Sequence, residues 1–251
     1  MEPLALAGLA GAGLLAGAVN TIAGGGSLIG LPALILLGGL PAGVANGTNR
    51  VGVILQSTVA SVQFHREGLL DARAAARLLP VTALGSAVGA WASAGVSDAV
   101  FRQVIGVAML GMLAVVLVKP KRFLEGRDGA AGAPVPGWAA QLIFLGVGLY
   151  GGFLQAGVGV FLLAALSLTR GLDLVRANAV KALLVAGFTV PPLAIFLAAD
   201  LIAWAPGLVM AAGSAVGGWL GTKMTVSWGP GFVRWVLVVV VLVSSVKLLA
   251  T

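Results

Sequence analysis

The chain contains no cysteine and a single histidine, His65. Without thiols there is no disulfide framework and no thiolate metal site, and without a His-x-x-x-His pair an imidazole-rich metal centre is excluded too. No metal and no cofactor is expected. Charge is equally scarce: 9% of the 251 residues are charged and 59% are hydrophobic, with a mean hydropathy of +1.08. That is too little polar matter to cover a water-soluble globule of this size, so the chain's solvent is a lipid bilayer. The eight acids are Glu2, Glu67, Asp71, Asp98, Glu125, Asp128, Asp173 and Asp200, all at termini, in loops or at the ends of apolar segments. A proton or sodium path through a buried carboxylate therefore has no candidate. An enzyme is disfavoured on the same ground, since neither His65 nor these acids can supply a nucleophile with its base or a metal cluster. The net charge of +7 is read as loop anchoring, not as a nucleic-acid surface.

What is present is a series of apolar segments. A hydrocarbon core about 30 Å thick needs roughly 20 helical residues per crossing. Segments 43–64, 75–95, 99–118, 174–199, 202–222 and 231–250 fit that length. Segments 3–38 and 137–170 are far too long for one crossing, and each carries glycines in its middle, Gly24–Gly25–Gly26 and Gly157 with Gly159. Glycine weakens a helix and permits a turn, so both are expected to be broken. The N-terminus carries Glu2 and no basic stretch before its apolar run, which argues for a membrane segment over a cleavable signal peptide.

Internal similarity points to a duplication. "GSAVGAW" at 85–91 recurs as "GSAVGGW" at 213–219, "VFRQV" at 100–104 as "FVRWV" at 232–236, and "ANGTNR" at 45–50 more weakly as "ANAVK" at 177–181. The repeat distance is about 130 residues throughout. The expected organisation is a first repeat over 1–118, a flexible charged linker over 119–136 and a second repeat over 137–251. If each long segment is a hairpin entering and leaving on one face, 11 bases share one side against 2 on the other, with Arg50 and Lys181 left inside. The positive-inside rule favours that arrangement over single crossings. Each repeat then has three full crossings, so the halves must be inverted. The expected fold is an all-α polytopic membrane protein of two inverted repeats, each a glycine-broken helical hairpin plus three transmembrane helices.

Broken backbone is tolerated in lipid only where protein encloses it, so the breaks predict a protein-lined site near mid-membrane. Asn46, Asn49, Arg50, Val53 and Ser57 share one helical face, and Asn178 and Lys181 stand one turn apart in the second half. Arg50 and Lys181 are expected to pair with a small anionic substrate. Asn20, Asn46, Asn49, Asn178 and Gln155 would donate through their side-chain amides, and Gly25, Gly26, Ser27, Gly157 and Gly159 through backbone N–H groups. The competing reading has Arg50 and Lys181 snorkelling to the interface. Gly85, Gly89, Gly213 and Gly217 show small-x-x-x-small spacing and are expected to serve helix packing.

The stretch "NTIAGGGSLIGLPALILLGGLPAGVANGTNRVGVILQS" at 20–57 resembles the signature of the TauE/SafE family of membrane permeases, with a weaker likeness through the second repeat. The resemblance implies a multi-pass transporter of a prokaryotic inner membrane, with sulfite and sulfonates such as sulfoacetate as the substrates linked to the family. The second half departs from the first, with Val160 where Ser27 stands and a lysine in place of an arginine. The expected function is export of a small anion by alternating access around a central electropositive site, with an anion channel or an importer of a sulfur-containing anion as the alternative. Partners are the substrate and the bilayer, and oligomeric state is not readable.

Overall fold

The structure is a computed structural model that describes residues 2–97, 100, 103 and 136–249, with 240–249 as backbone only. The expected span 99–118 and nearly all of the 119–136 linker lie outside the described residues. Every element among the described residues is helical: α1 Pro3–Ala23, α2 Ser27–Leu36, α3 Ala42–Arg66, α4 Ala72–Ala94, α5 Gly137–Phe153, α6 Val158–Arg170, α7 Leu174–Phe188, α8 Val190–Ala198 and α9 Trp204–Leu249.

Local chemistry sets the ends. Asp71 opens α4 by accepting the Ala74 N–H at 2.9 Å, and Asp173 opens α7 by accepting those of Val175 and Arg176 at 2.9 and 3.0 Å. Each carboxylate satisfies amides that have no intrahelical acceptor. α1 stops at Gly24, whose left-handed φ of 82° lets its N–H reach back to the carbonyls of Val19 and Asn20. α5 stops before Gln155 and Gly157, both with positive φ. At each break the chain doubles back. Leu37 lies against Gly8 and Gly26 against Ala16, while Val158 meets Gly151 and the Tyr150 ring stands edge-on to Phe161 with centroids 5.3 Å apart.

Three expected crossings differ in detail. Residues 174–199 form α7 and α8, joined at Thr189, because Pro191 and Pro192 fit only the start of a helix. Segments 202–222 and 231–250 join into α9, which is interrupted at Gly229 with φ 73° and ψ −170°, just before Pro230.

The halves interlock through their broken helices. α1 packs on the first part of α9, and α5 packs on α4. Gly13 and Gly17 abut the backbone of Met210 and Ser214, and Gly148 and Gly152 abut Thr82 and Ser86 in the same way. From the opposite side, Gly213 and Gly217 meet Ala10 and Leu14, as Gly85 and Gly89 meet Leu145 and Leu149. The small-residue stripes at 85–89 and 213–217 thus serve close backbone approach, as their spacing predicts. The two breaks also touch: a Cβ on Gly24 would run into the backbone of Gly159.

Gly24→Ala combines a left-handed residue, costing roughly 1–2 kcal/mol, with overpacking worth about 1–3 kcal/mol. Its thermal unfolding midpoint in detergent is expected to fall well below wild type. Gly11→Ala, which faces open space within α1, is expected to leave the midpoint unchanged or raise it.

Candidate functional site

A helix that ends inside a bilayer leaves its last carbonyls without partners. At the end of α1 lie the carbonyls of Asn20, which accepts from the Gly24 N–H, and of Thr21 and Ile22, which have no backbone donor. Lys181 Nζ donates to the first two at 2.8 and 3.0 Å, and Asn178 Nδ2 donates to the third at 2.8 Å. At the end of α5 the equivalents are Gly151, Gly152 and Phe153. Arg50 Nη1 donates to Gly151 at 3.1 Å, Arg50 Nη2 donates to Gly152, and Asn46 Nδ2 donates to Phe153 at 2.9 Å. In each case one cation and one asparagine, a turn apart on a helix of one half, cap three consecutive carbonyls of the other half. Cations at helix C-termini also meet the negative end of the dipole.

Burial is complete on both sides. Arg50 is 0% exposed and Lys181 3%, so neither side chain snorkels to the interface. Lys181 also donates to Asn178 Oδ1 at 2.5 Å, which commits all three ammonium hydrogens. The Arg50 guanidinium stacks over Phe196 at 4.7 Å from the ring centroid. Among the described residues no Asp or Glu is buried, so neither cation is neutralised by a carboxylate.

The remaining expected site residues surround the same breaks, each with an amide hydrogen donated to a neighbour. Asn20 Nδ2 donates to Gln56 Oε1 at 2.8 Å, Asn49 Nδ2 to Ser27 Oγ at 3.0 Å, and Gln155 Nε2 to Thr189 Oγ1 at 3.1 Å. Asn46 Nδ2 has a second, longer contact to Ser93 Oγ at 3.4 Å. Each of the five side-chain amides expected to donate thus already gives a hydrogen to a carbonyl or hydroxyl of the protein. Gly25, Gly26 and Ser27 begin α2 and Gly157 and Gly159 begin α6, where first-turn N–H groups have no intrahelical acceptor. The Gly24–Gly159 contact brings these two helix starts together.

A family profile described as "Sulfite exporter TauE/SafE" matches residues 9–248. The chain is 32% identical over 250 residues to "Probable membrane transporter protein YfcA" of Escherichia coli, covering 99% of this chain and 91% of that one. It is 30% identical over 236 residues to "Probable membrane transporter protein" of Haemophilus influenzae, covering 94% and 91%. The chain belongs to the TauE/SafE family. TauE/SafE proteins and these relatives are membrane transporters, not enzymes, and the chain is a helical membrane protein. No solved structure matches it.

Within this TauE/SafE fold, several site residues escape a reading of the sequence. Gln56 holds Asn20 and also donates to Thr21 Oγ1 at 3.1 Å. Thr189, Ser93 and Phe196 sit in otherwise apolar spans and gain their partners only across helices. A glutamine inside an apolar segment was the one available signal, because an amide in hydrocarbon needs a partner.

Gln56→Leu leaves Asn20 Nδ2 without its acceptor and is expected to cost about 1–3 kcal/mol. Adding Asn20→Leu removes both partners and should restore part of the loss. A double-mutant cycle on unfolding in detergent measures this coupling, and strict additivity would show that the pair does not matter.

Proposed function

We propose that the chain exports small anions, sulfite or organosulfonates, by alternating access between two inverted repeats, 1–118 and 137–251, joined by the 119–136 linker. The observation that carries the proposal is a pair of buried cations, Arg50 and Lys181, held at two touching helix breaks with no carboxylate among the described residues to neutralise them. Such charges are expensive in a membrane interior and mark substrate paths. Their capping carbonyls are neutral, so the region keeps a positive potential that favours a negative solute.

The pairing of two related halves is supported by the exchange of contacts. Interchanging the halves carries the cap of Arg50 and Asn46 over the end of α5 into that of Lys181 and Asn178 over the end of α1, and the α1–α9 packing into the α5–α4 packing. Rocking one half against the other would alter both caps together. At the surface, Arg73, Arg77 and Arg170 line a cavity of about 350 Å³ with Asp71, a positively charged mouth that would concentrate anions. Export needs no coupling ion, since a negative charge leaving an inside-negative cell gains about 2.3 kcal/mol per 100 mV. The family description supplies the sulfur chemistry. The location is the inner membrane of a prokaryote, as a multi-pass protein.

Flux of radiolabelled sulfite, sulfonate and sulfate in proteoliposomes tests this. Wild type should show saturable sulfite or sulfonate flux, and Arg50→Ala and Lys181→Ala should each lose about ten-fold or more, the first through a lost hydrogen bond to the anion and the second through the lost charge and cap at the end of α1. Undiminished flux in both variants removes the site assignment, and flux that never saturates points to a channel. Labelling of an introduced terminal cysteine checks the topology: the C-terminus should react from outside, and reaction only from the cytoplasm contradicts inverted hairpins.

A further inference from the structure

Among the described residues four buried side-chain polar atoms have no hydrogen-bond partner: Asn46 Oδ1, Arg50 Nε, Gln155 Oε1 and Thr225 Oγ1. The first three gather at the second break. Asn46 and Arg50 are bound to the consecutive carbonyls of Gly151, Gly152 and Phe153, and Gln155 follows two residues later. Asn46 is 0% exposed, Arg50 0% and Gln155 2%. None of these three atoms belongs to the first break, where Gln56, Ser27, Asn178 and Lys181 engage their neighbours.

Buried polar atoms are almost always satisfied, so three unmet ones around one backbone break call for a ligand. Their chemistry is mixed. Arg50 Nε is a cationic donor and suits an anion oxygen. Asn46 Oδ1 and Gln155 Oε1 are acceptors, and the Asn46 amide cannot be turned to present its nitrogen because that nitrogen holds the Phe153 carbonyl. Two carbonyl oxygens facing a fully deprotonated oxyanion would oppose lone pair to lone pair.

We infer that the anion is recognised at the second break and carries a hydrogen-bond donor of its own, as hydrogensulfite or a hydroxyl-bearing sulfonate does. This rests on the anion-export reading and narrows it: Arg50 Nε takes an anion oxygen while Asn46 Oδ1 and Gln155 Oε1 take the ligand's O–H. The two halves then have different roles. The first break, where Lys181 has all three hydrogens committed, is a fixed partner, and the second is the contact surface.

The test is competition against radiolabelled sulfite flux in proteoliposomes by ethanesulfonate and by 2-hydroxyethanesulfonate, which share charge and chain length and differ by one hydroxyl. A site built to accept a ligand's hydrogen discriminates strongly against the analogue without it. Wild type should be inhibited by the hydroxylated compound at about ten-fold lower concentration or less. In Gln155→Met, confirmed as folded by size exclusion, the preference should shrink to about three-fold or less. Thr225→Val, which removes the orphaned atom on α9, should keep it. Equal inhibition of wild type by both compounds, or by neither while sulfite still flows, overturns the inference and leaves anion export standing. An undiminished preference in Gln155→Met also overturns it. Absence of sulfite and sulfonate flux altogether removes both proposals.

Discussion

A helix that stops in the middle of a bilayer must find partners for its last carbonyls from protein alone. This chain stops two helices inside the protein, at Ala23 and Phe153, and meets the requirement by exchange. Arg50 and Asn46 reach from the first half to the end of α5, and Lys181 and Asn178 reach from the second half to the end of α1. Neither half closes its own broken helix. The folded state therefore depends on both halves at once, and each positive charge is held where a helix presents its negative end.

Close approach makes that exchange possible. Glycines on α1 and α5 let α9 and α4 pack directly on the helix backbone, and the Gly24–Gly159 contact sets the two breaks against each other. In lipid, where apolar surface gives no net drive for helices to associate, such contacts and interhelical hydrogen bonds supply the cohesion. Buried hydroxyls and amides at Thr82, Ser86, Gln56 and Thr189 add to it, each with a partner within its own helix or across the bundle. The cost of enclosing two cations is offset by full donor engagement at Lys181, whereas at Arg50 one nitrogen is left unmet. That difference between otherwise matching ends is where chemistry and scaffold part company.

Composition and periodicity carried much of the architecture. The membrane setting followed from the scarcity of charge, the breaks from glycines in overlong apolar segments, and the helix-packing role of Gly85, Gly89, Gly213 and Gly217 from their spacing. The pairing of an asparagine with a cation one turn away was visible at Asn46 with Arg50 and at Asn178 with Lys181. What those side chains hold was not visible, because their partners are backbone carbonyls more than 100 residues away. A carbonyl leaves no mark in a sequence, since every residue has one.

The sequence by itself determined the solvent, the places where helices stop and the side chains that must be enclosed, because these depend on local length and polarity. Only the tertiary structure decided which donors remain for a ligand. Side-chain amides that looked available each donate to a neighbour brought close by helix packing, and the buried atoms left over at the second break, Arg50 Nε with the oxygens of Asn46 and Gln155, are a remainder set by three-dimensional pairing.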